Sequence, residues 1–372
     1  MDEKRICREF AELVQIDAPS FGERRMADLL KQKLKALGFE VSEDDAGMHL
    51  GGTAGNLYGF LKGVLPGDPI LLSAHMDTVE PACGKQAVFH EDGRITSNKE
   101  TVLGADDVAG IVEILEAVRH VQEEGIPHRD IEVLFSVAEE VYIKGIRQFD
   151  MSRIRAKEAY VLDLSGTPGT AALRAPSLIS LAVTVPGRAA HAGFAPEEGI
   201  HALWIMSQAI SHIPQGRVDA ETTLNIGTIQ GGTATNIVPE TCVCRGEIRS
   251  YCHEKALNCV EEVRRHFHEA VEELGGSFEL ETSVDLVAYE TDASQPVVKH
   301  FQQACEKLGI TCELTETFGG SDNNHFARQG IPGIVLSCGF REAHSVREYT
   351  RVQDLKLGAA LLSALITNPQ EK

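Results

Sequence analysis

Ile70-Leu71-Leu72-Ser73-Ala74-His75-Met76-Asp77-Thr78 reads as an apolar strand that delivers a histidine and, two residues later, an aspartate at its carboxyl end. In open α/β sheets ligands bind in the crevice beyond the carboxyl ends of the strands, so such a tip is a natural place for a site. A ring nitrogen of His75 can serve a metal ion. Asp77, within reach of the other nitrogen, would fix the tautomer and raise the ring's basicity. The pair alone also fits a buried histidine satisfied by a neighbouring carboxylate, and the rest of the chain has to decide between the two.

On the amino-terminal side, Ile6, Phe10, Leu13 and Val14 recur at helical spacing, and Met26, Leu29, Leu30, Leu34 and Leu37 form a second stripe before Gly38. Ser20-Phe21-Gly22-Glu23 has the spacing of a capping box for that second helix. Residues 39–41 and 56–60 predict strands, and Pro66-Gly67-Asp68 turns the chain into the opening strand. Beyond the tip, Pro81, Gly84 and Asp92-Gly93 break residues 80–105 into a rim with a small hairpin. Val108, Ile111, Val112, Leu115 and Val118 then mark a helix entered at Asp106-Asp107. Residues 131–137 predict a strand that ends in Ala138-Glu139-Glu140, and residues 160–164 another that carries Asp163. This alternation of strands and helices predicts an α/β fold.

Residues 175–287 change character. They read strand (178–185), helix (196–213), strand (222–230), strand (240–250), helix (253–274) and strand (278–287), the βαββαβ order of a ferredoxin-like unit. The α/β alternation then resumes with helix 296–308, strand 312–317, helix 322–329, strand 333–337 and a closing helix over about 352–367. The expected architecture is a mixed-sheet catalytic α/β domain, residues 1–174 and 288–372, with a ferredoxin-like domain inserted at 175–287.

With 372 residues, 43% of them hydrophobic, the chain is large enough for two cores. A formal charge of −20 disfavours nucleic acid and anionic membrane surfaces as partners. Met1-Asp2-Glu3-Lys4-Arg5 puts charges ahead of any apolar stretch, unlike a secretory leader, and no run reaches membrane-spanning length. The nine cysteines are scattered without paired metal-type spacing, and Cys242 and Cys244 share one face of a strand. Reduced thiols in a cytoplasm are the expectation.

Four predicted strand ends, or the loops just beyond them, carry metal-competent groups: His75 with Asp77, Glu139 with Glu140, Asp163, and His344. Asp106 adds a fifth position at a helix entry. A sheet gathers its strand ends in space, so these groups can meet in one cleft. Five carboxylates and two histidines there would repel one another and desolvate badly without cations. Mixed histidine and carboxylate ligands suit catalytic zinc.

Taken together, His75-Met76-Asp77-Thr78-Val79, Gly104-Ala105-Asp106-Asp107, Glu139-Glu140, Asp163 and Ala343-His344-Ser345 resemble the peptidase T branch of the di-zinc aminoacylase and carboxypeptidase family, over nearly the whole chain. The resemblance implies two zinc ions per subunit, cobalt or manganese being compatible alternatives. It implies that Asp106 bridges the ions, that His75 and Asp163 complete one site, and that Glu140 and His344 complete the other. It further implies Glu139 as general base and Asp77 as the partner that orients His75. Zinc lowers the pKa of bound water from about 15.7 to about 7, and a second ion can polarise the scissile carbonyl. Glu139 would take the water's proton and pass it to the leaving amine. Asp107 reads as a helix N-terminal charge rather than a ligand.

In the insert, Pro186-Gly187-Arg188-Ala189-Ala190-His191-Ala192-Gly193 resembles the family segment whose histidine stabilises the tetrahedral oxyanion, usually in the site of a partner subunit. Asn236 and Arg249 match positions that hold substrate in relatives, and a guanidinium suits a carboxylate because it presents a planar fork. Gly319, Gly320 and Ser321, just past a strand, are implied to border the substrate carboxylate pocket; the plain reading is a turn with Asp322 as helix cap. His90, His201 and His325 have no spacing that raises them above surface or core residues. Asp163 is followed by Leu164-Ser165-Gly166, and Glu140 by Val141-Tyr142-Ile143-Lys144-Gly145, where many relatives differ, which weakens the case for strict tripeptide specificity. The expected protein is a homodimeric exopeptidase acting on short peptides, of tripeptide aminopeptidase type. N-acyl amino acid hydrolysis, carboxypeptidase action and a peptide-binding module with a dead site are the alternatives.

Overall fold

The computed structural model describes residues 1–368. The chain forms two compact units, one made of residues 1–174, 290–317 and 321 onward, the other of residues 175–289 and 318–320.

The first unit is built on a mixed sheet in the order Glu40–Glu43, Leu57–Leu61, Ile131–Ser136, Ile70–His75, Ala159–Leu164, Gly333–Ser337 and Thr170–Ala175. The four strands from Ile131–Ser136 to Gly333–Ser337 run parallel, so their carboxyl ends point one way. Every residue of Ile70–His75 and of Ile131–Ser136 is buried, which is why both read as unbroken apolar runs rather than alternating ones. Helix Ala105–Glu123 is buried along most of its length and packs against Val352–Ile366 and Glu3–Val14. The predicted rim hairpin is present as Val88–Phe89 and Arg94–Thr96, and it gains a third strand, Tyr349–Arg351, from the far end of the chain.

Strand Thr170–Ala175 and the short helix Ala46–Leu50 had no counterpart in the expected element order. The strand is alanine-rich, with little of the β-branched and aromatic content that marks strands in sequence. It is ordered by its neighbours: Gly333–Ser337 pairs with it antiparallel and Glu313–Glu316 parallel.

The second unit is an antiparallel sheet in the order Gly216–Arg217, Thr222–Gly231, Thr241–Ser250, Ser177–Pro186, Glu279–Leu286. Helices Ala202–His212 and His253–Leu274 pack on it and on each other around Ile179, Val183, Ile205, Val263 and Phe267. Cys242 and Cys244 are both fully buried in this core. The helix expected over 196–213 is shorter, since a 3₁₀ turn at Pro196–Glu198 precedes it and Ile200 instead exchanges backbone hydrogen bonds with Arg188. The Nδ1 of His201 accepts the N–H of Trp204 at 3.2 Å, so a histidine without evident purpose in the sequence caps this helix. Gly216–Arg217 covers only Leu224 and Thr223 of the neighbouring strand.

Candidate metal centre

His75 closes its strand and is 2% exposed. Its Nδ1 lies 2.9 Å from the backbone carbonyl of Asp77 and 3.5 Å from that residue's Oδ1. A carbonyl only accepts, so Nδ1 donates there and Nε2 is turned toward the cleft. Nε2 is 3.1 Å from Asp106 Oδ1 and 3.9 Å from Asp163 Oδ1. His344, at φ +59° in the loop after Gly333–Ser337, places Nε2 3.0 Å from Glu140 Oε2 and 3.3 Å from Asp106 Oδ2. Two clusters result, His75-Asp106-Asp163 and Asp106-Glu140-His344, each with its ligand atoms within 4.8 Å of one another. Asp106 turns one oxygen to each.

The charges around these clusters are unbalanced without cations. Burial pushes Glu139 well above the usual carboxylate range and the nearby Asp163 adds to this; burial and Asp106 raise Glu140. Burial alone would lower His75, but hydrogen bonds to Asp106 and Asp77 hold it well above its ordinary value. His344 is pushed up to about 10 by its bonds to Asp106 and Glu140. Glu140 Oε1 is buried with no hydrogen-bond partner among the described residues. Imidazole nitrogens, paired carboxylates and an orphaned carboxylate oxygen form a donor set that fits divalent first-row metals.

Three further carboxylates fix the backbone beneath the clusters. Glu348, absent from the sequence-based site, accepts the N–H of Gly104 at 2.7 Å and of Asp106 at 2.9 Å. Gly104 has φ +74°, and a Cβ there would meet Lys85 Cε at 3.0 Å, so only glycine fits. Asp107 stands in the first turn of helix Ala105–Glu123 and in neither cluster, but it is 1% exposed, and its Oδ2 accepts the N–H of His75 at 3.1 Å. Asp77 does more than orient His75. Its Oδ1 accepts the N–H of Glu139 at 3.0 Å, and its Oδ2 that of Glu140 at 3.2 Å together with the Ser20 hydroxyl at 2.7 Å. The capping box expected at Ser20–Glu23 is therefore not formed. Helix Arg24–Ala36 begins without a side-chain cap, because Ser20 and Glu23 turn to the site instead.

His191, Asn236 and Arg249 belong to the second unit. His191 is exposed, stacked on Phe194 with ring centroids 4.2 Å apart, and its Nδ1 accepts the N–H of Gly193 and of Phe194. Asn236 is exposed, and its carbonyl accepts the N–H of Ala192. The Arg249 guanidinium is held by Glu247, at 2.8 Å from Nε, and by the Phe318 carbonyl at 2.8 Å. Gly320 packs closely on Leu286, whose side chain would have to shift to admit a Cβ there. Ser321 is buried in the first unit, its N–H bonded to Asn324 Oδ1 and its Oγ accepting the N–H of Asn323. Asp322 precedes helix Asn323–Arg328 without capping it, and burial pushes its carboxyl up to about 6. Nothing periodic in the sequence points to Glu348, whereas Asp322 directly follows the Gly319-Gly320-Ser321 segment read as bordering the site.

The family model of the M20 peptidase dimerisation domain matches residues 175–274, and that of peptidase family M28 matches residues 56–202. The uncharacterised protein YqjE of Bacillus subtilis is 39% identical over 366 residues, which cover 98% of each chain. The aminopeptidase PepT of Bacillus cereus has a solved structure that is 38% identical, with TM-score 0.91 over 99% of this chain and 98% of that one. A tripeptidase of Staphylococcus aureus is 33% identical, with TM-score 0.95 over the same shares. A mixed α/β domain with an inserted second domain, and histidines and carboxylates gathered at its strand ends, make this enzyme a metallopeptidase. The chain belongs to the M20 peptidases, in their peptidase T-like branch.

Proposed function

We propose that this enzyme is a di-zinc exopeptidase that removes the amino-terminal residue from short peptides, tripeptides foremost. The observation that carries this reading is Asp106, whose two oxygens face two separate histidine-containing clusters. Cations bound there would supply Lewis acidity toward the scissile carbonyl and the attacking water. Glu139, buried and held by its N–H to Asp77, belongs to neither cluster, and we assign it to accept the water's proton and return it to the leaving amine, as the peptidase T resemblance implies. His191 receives two backbone N–H groups on Nδ1, so its proton sits on Nε2, a donor suited to an oxyanion. Arg249 keeps one N–H on each terminal nitrogen beyond its bonds to Glu247 and Phe318, enough for a substrate carboxylate near Gly319 and Gly320, while Asn236 stands with His191 at the other end of strand Thr241–Ser250.

Zinc content and turnover of a defined tripeptide panel test the reading. Two zinc ions per chain with faster cleavage of free-amine tripeptides than of N-acetylated ones is the expected result. Faster cleavage of N-acylated or carboxyl-terminal probes would move the enzyme to the amidohydrolase or carboxypeptidase alternative.

The reading includes a homodimer formed through the inserted domain. Residues 227–231 have no strand partner on the outer side of Thr222–Gly231, and beside this edge Ile210, Ile226 and Ile229 line a groove of about 420 Å³. An uncovered edge of this kind pairs readily with a second copy. Light scattering is expected to give a dimer mass for the wild type and a monomer mass for Ile229→Arg; a monomeric wild type would refute the dimer. Among the described residues no helix is long and apolar enough to cross a membrane, and all nine cysteines are free thiols, which suits the cytoplasm we assign to it.

A further inference from the structure

Glu23 opens helix Arg24–Ala36, is 0% exposed, and caps nothing. Its Oε1 accepts the N–H of Phe21 at 2.7 Å and that of Ala138 at 3.0 Å. Ala138 sits in the left-handed region at φ +52°, immediately ahead of Glu139 and Glu140. Three successive amides are thus held by two buried carboxylates, Ala138 by Glu23 and the next two by Asp77. A non-glycine residue stays left-handed only where its surroundings over-determine it; at Ala138 the Glu23 bond holds the N–H, and the Lys144 N–H holds the carbonyl at 3.0 Å. The same turn is tied to the strand tip through Ser20 on Asp77 and through Thr78, whose N–H reaches the Ala18 carbonyl at 2.9 Å.

Glu23 is a poor choice for its local position. A helix start accepts serine, threonine or aspartate readily, whereas a buried carboxylate is costly to desolvate. Its second oxygen, Oε2, is buried without a hydrogen-bond partner. The amide it holds accounts for its presence better than the helix it begins.

We propose that Glu23 is a positioning residue for peptide hydrolysis, fixing the Ala138 peptide and through it the direction in which the Glu139 carboxylate points. The proposal rests on Glu139 as general base. Glu23→Ala is expected to lower kcat roughly 10- to 100-fold while KM and metal content stay at wild-type values, the scale seen when outer partners of a site are removed. Glu23→Gln keeps an acceptor oxygen at the same reach and is expected to restore kcat. Glu23→Asp, one methylene short, is expected to behave like the alanine variant, and it decides the matter if the alanine variant does not fold. Wild-type kcat in a folded Ala or Asp variant, or a Gln variant as slow as these, would overturn the proposal. Glu139→Gln assayed in parallel reports the base assignment by itself, so failure of that reading is distinguishable from failure of this one.

Discussion

Glu139→Gln is expected to lower kcat by roughly 10²- to 10⁴-fold, the usual contribution of a positioned general base, with metal content unchanged. Glutamine preserves shape and volume, and the backbone N–H of residue 139 still reaches Asp77. The loss then isolates one property, the capacity to take a proton. In the metal-free protein burial and the nearby Asp163 push the Glu139 carboxyl well above the ordinary range. Mass spectrometry of bound metal beside steady-state kinetics checks both halves. Wild-type turnover in a fully metallated variant would exclude Glu139 as the base.

Asp106→Ala is expected to remove both metal ions together and with them all measurable turnover, because each cluster loses an oxygen in the same substitution. Loss of a single ion would show that Asp106 does not bridge. Loading also has a pH signature. In the metal-free protein His344 is pushed up to about 10 and His75 stands well above its ordinary value, so both rings carry an extra proton at neutral pH. Imidazole binds metal only when neutral, so loading releases protons. The metal-free state therefore binds more protons, and apparent affinity falls as pH falls. Calorimetry in buffers of different ionisation enthalpy measures the released protons directly; a heat independent of buffer would contradict the scheme.

The parts of this structure that a sequence displays are those with a period or a run. Ile70–His75 and Ile131–Ser136 show as apolar runs because both of their faces are covered, and His253–Leu274 has the bounds its spacing predicts. His75, Asp106, Glu140, Asp163 and His344 could be named because each stands at the end of such an element or in the loop just beyond it, and because the set resembles a known family. Of the groups that hold them, Asp77 follows His75 closely enough to be named too, but Glu348 and Glu23 could not be. Glu348 lies 242 residues from the Asp106 amide it binds, and Glu23 lies 115 from Ala138, so neither contact leaves a local pattern. Ser20–Glu23 misleads outright. Its spacing suits a cap, but stronger tertiary partners claim both side chains, a case of long-range contacts overriding a local motif. The helix start at Ala202 is hidden likewise, since the backbone of Ile200 is taken by Arg188.

The carboxylates of Asp77, Asp107 and Glu348 grip main-chain amides, whereas those of Asp106, Glu140 and Asp163 face the clusters. Scaffold and chemistry are thus divided between different side chains. Any residue but proline carries the amide N–H, so exchanging the side chain of Asp163 or His344 leaves the underlying grip untouched. The strand tips form a chassis on which coordination chemistry can be rewritten, by natural drift or by an engineer, without first rebuilding the fold.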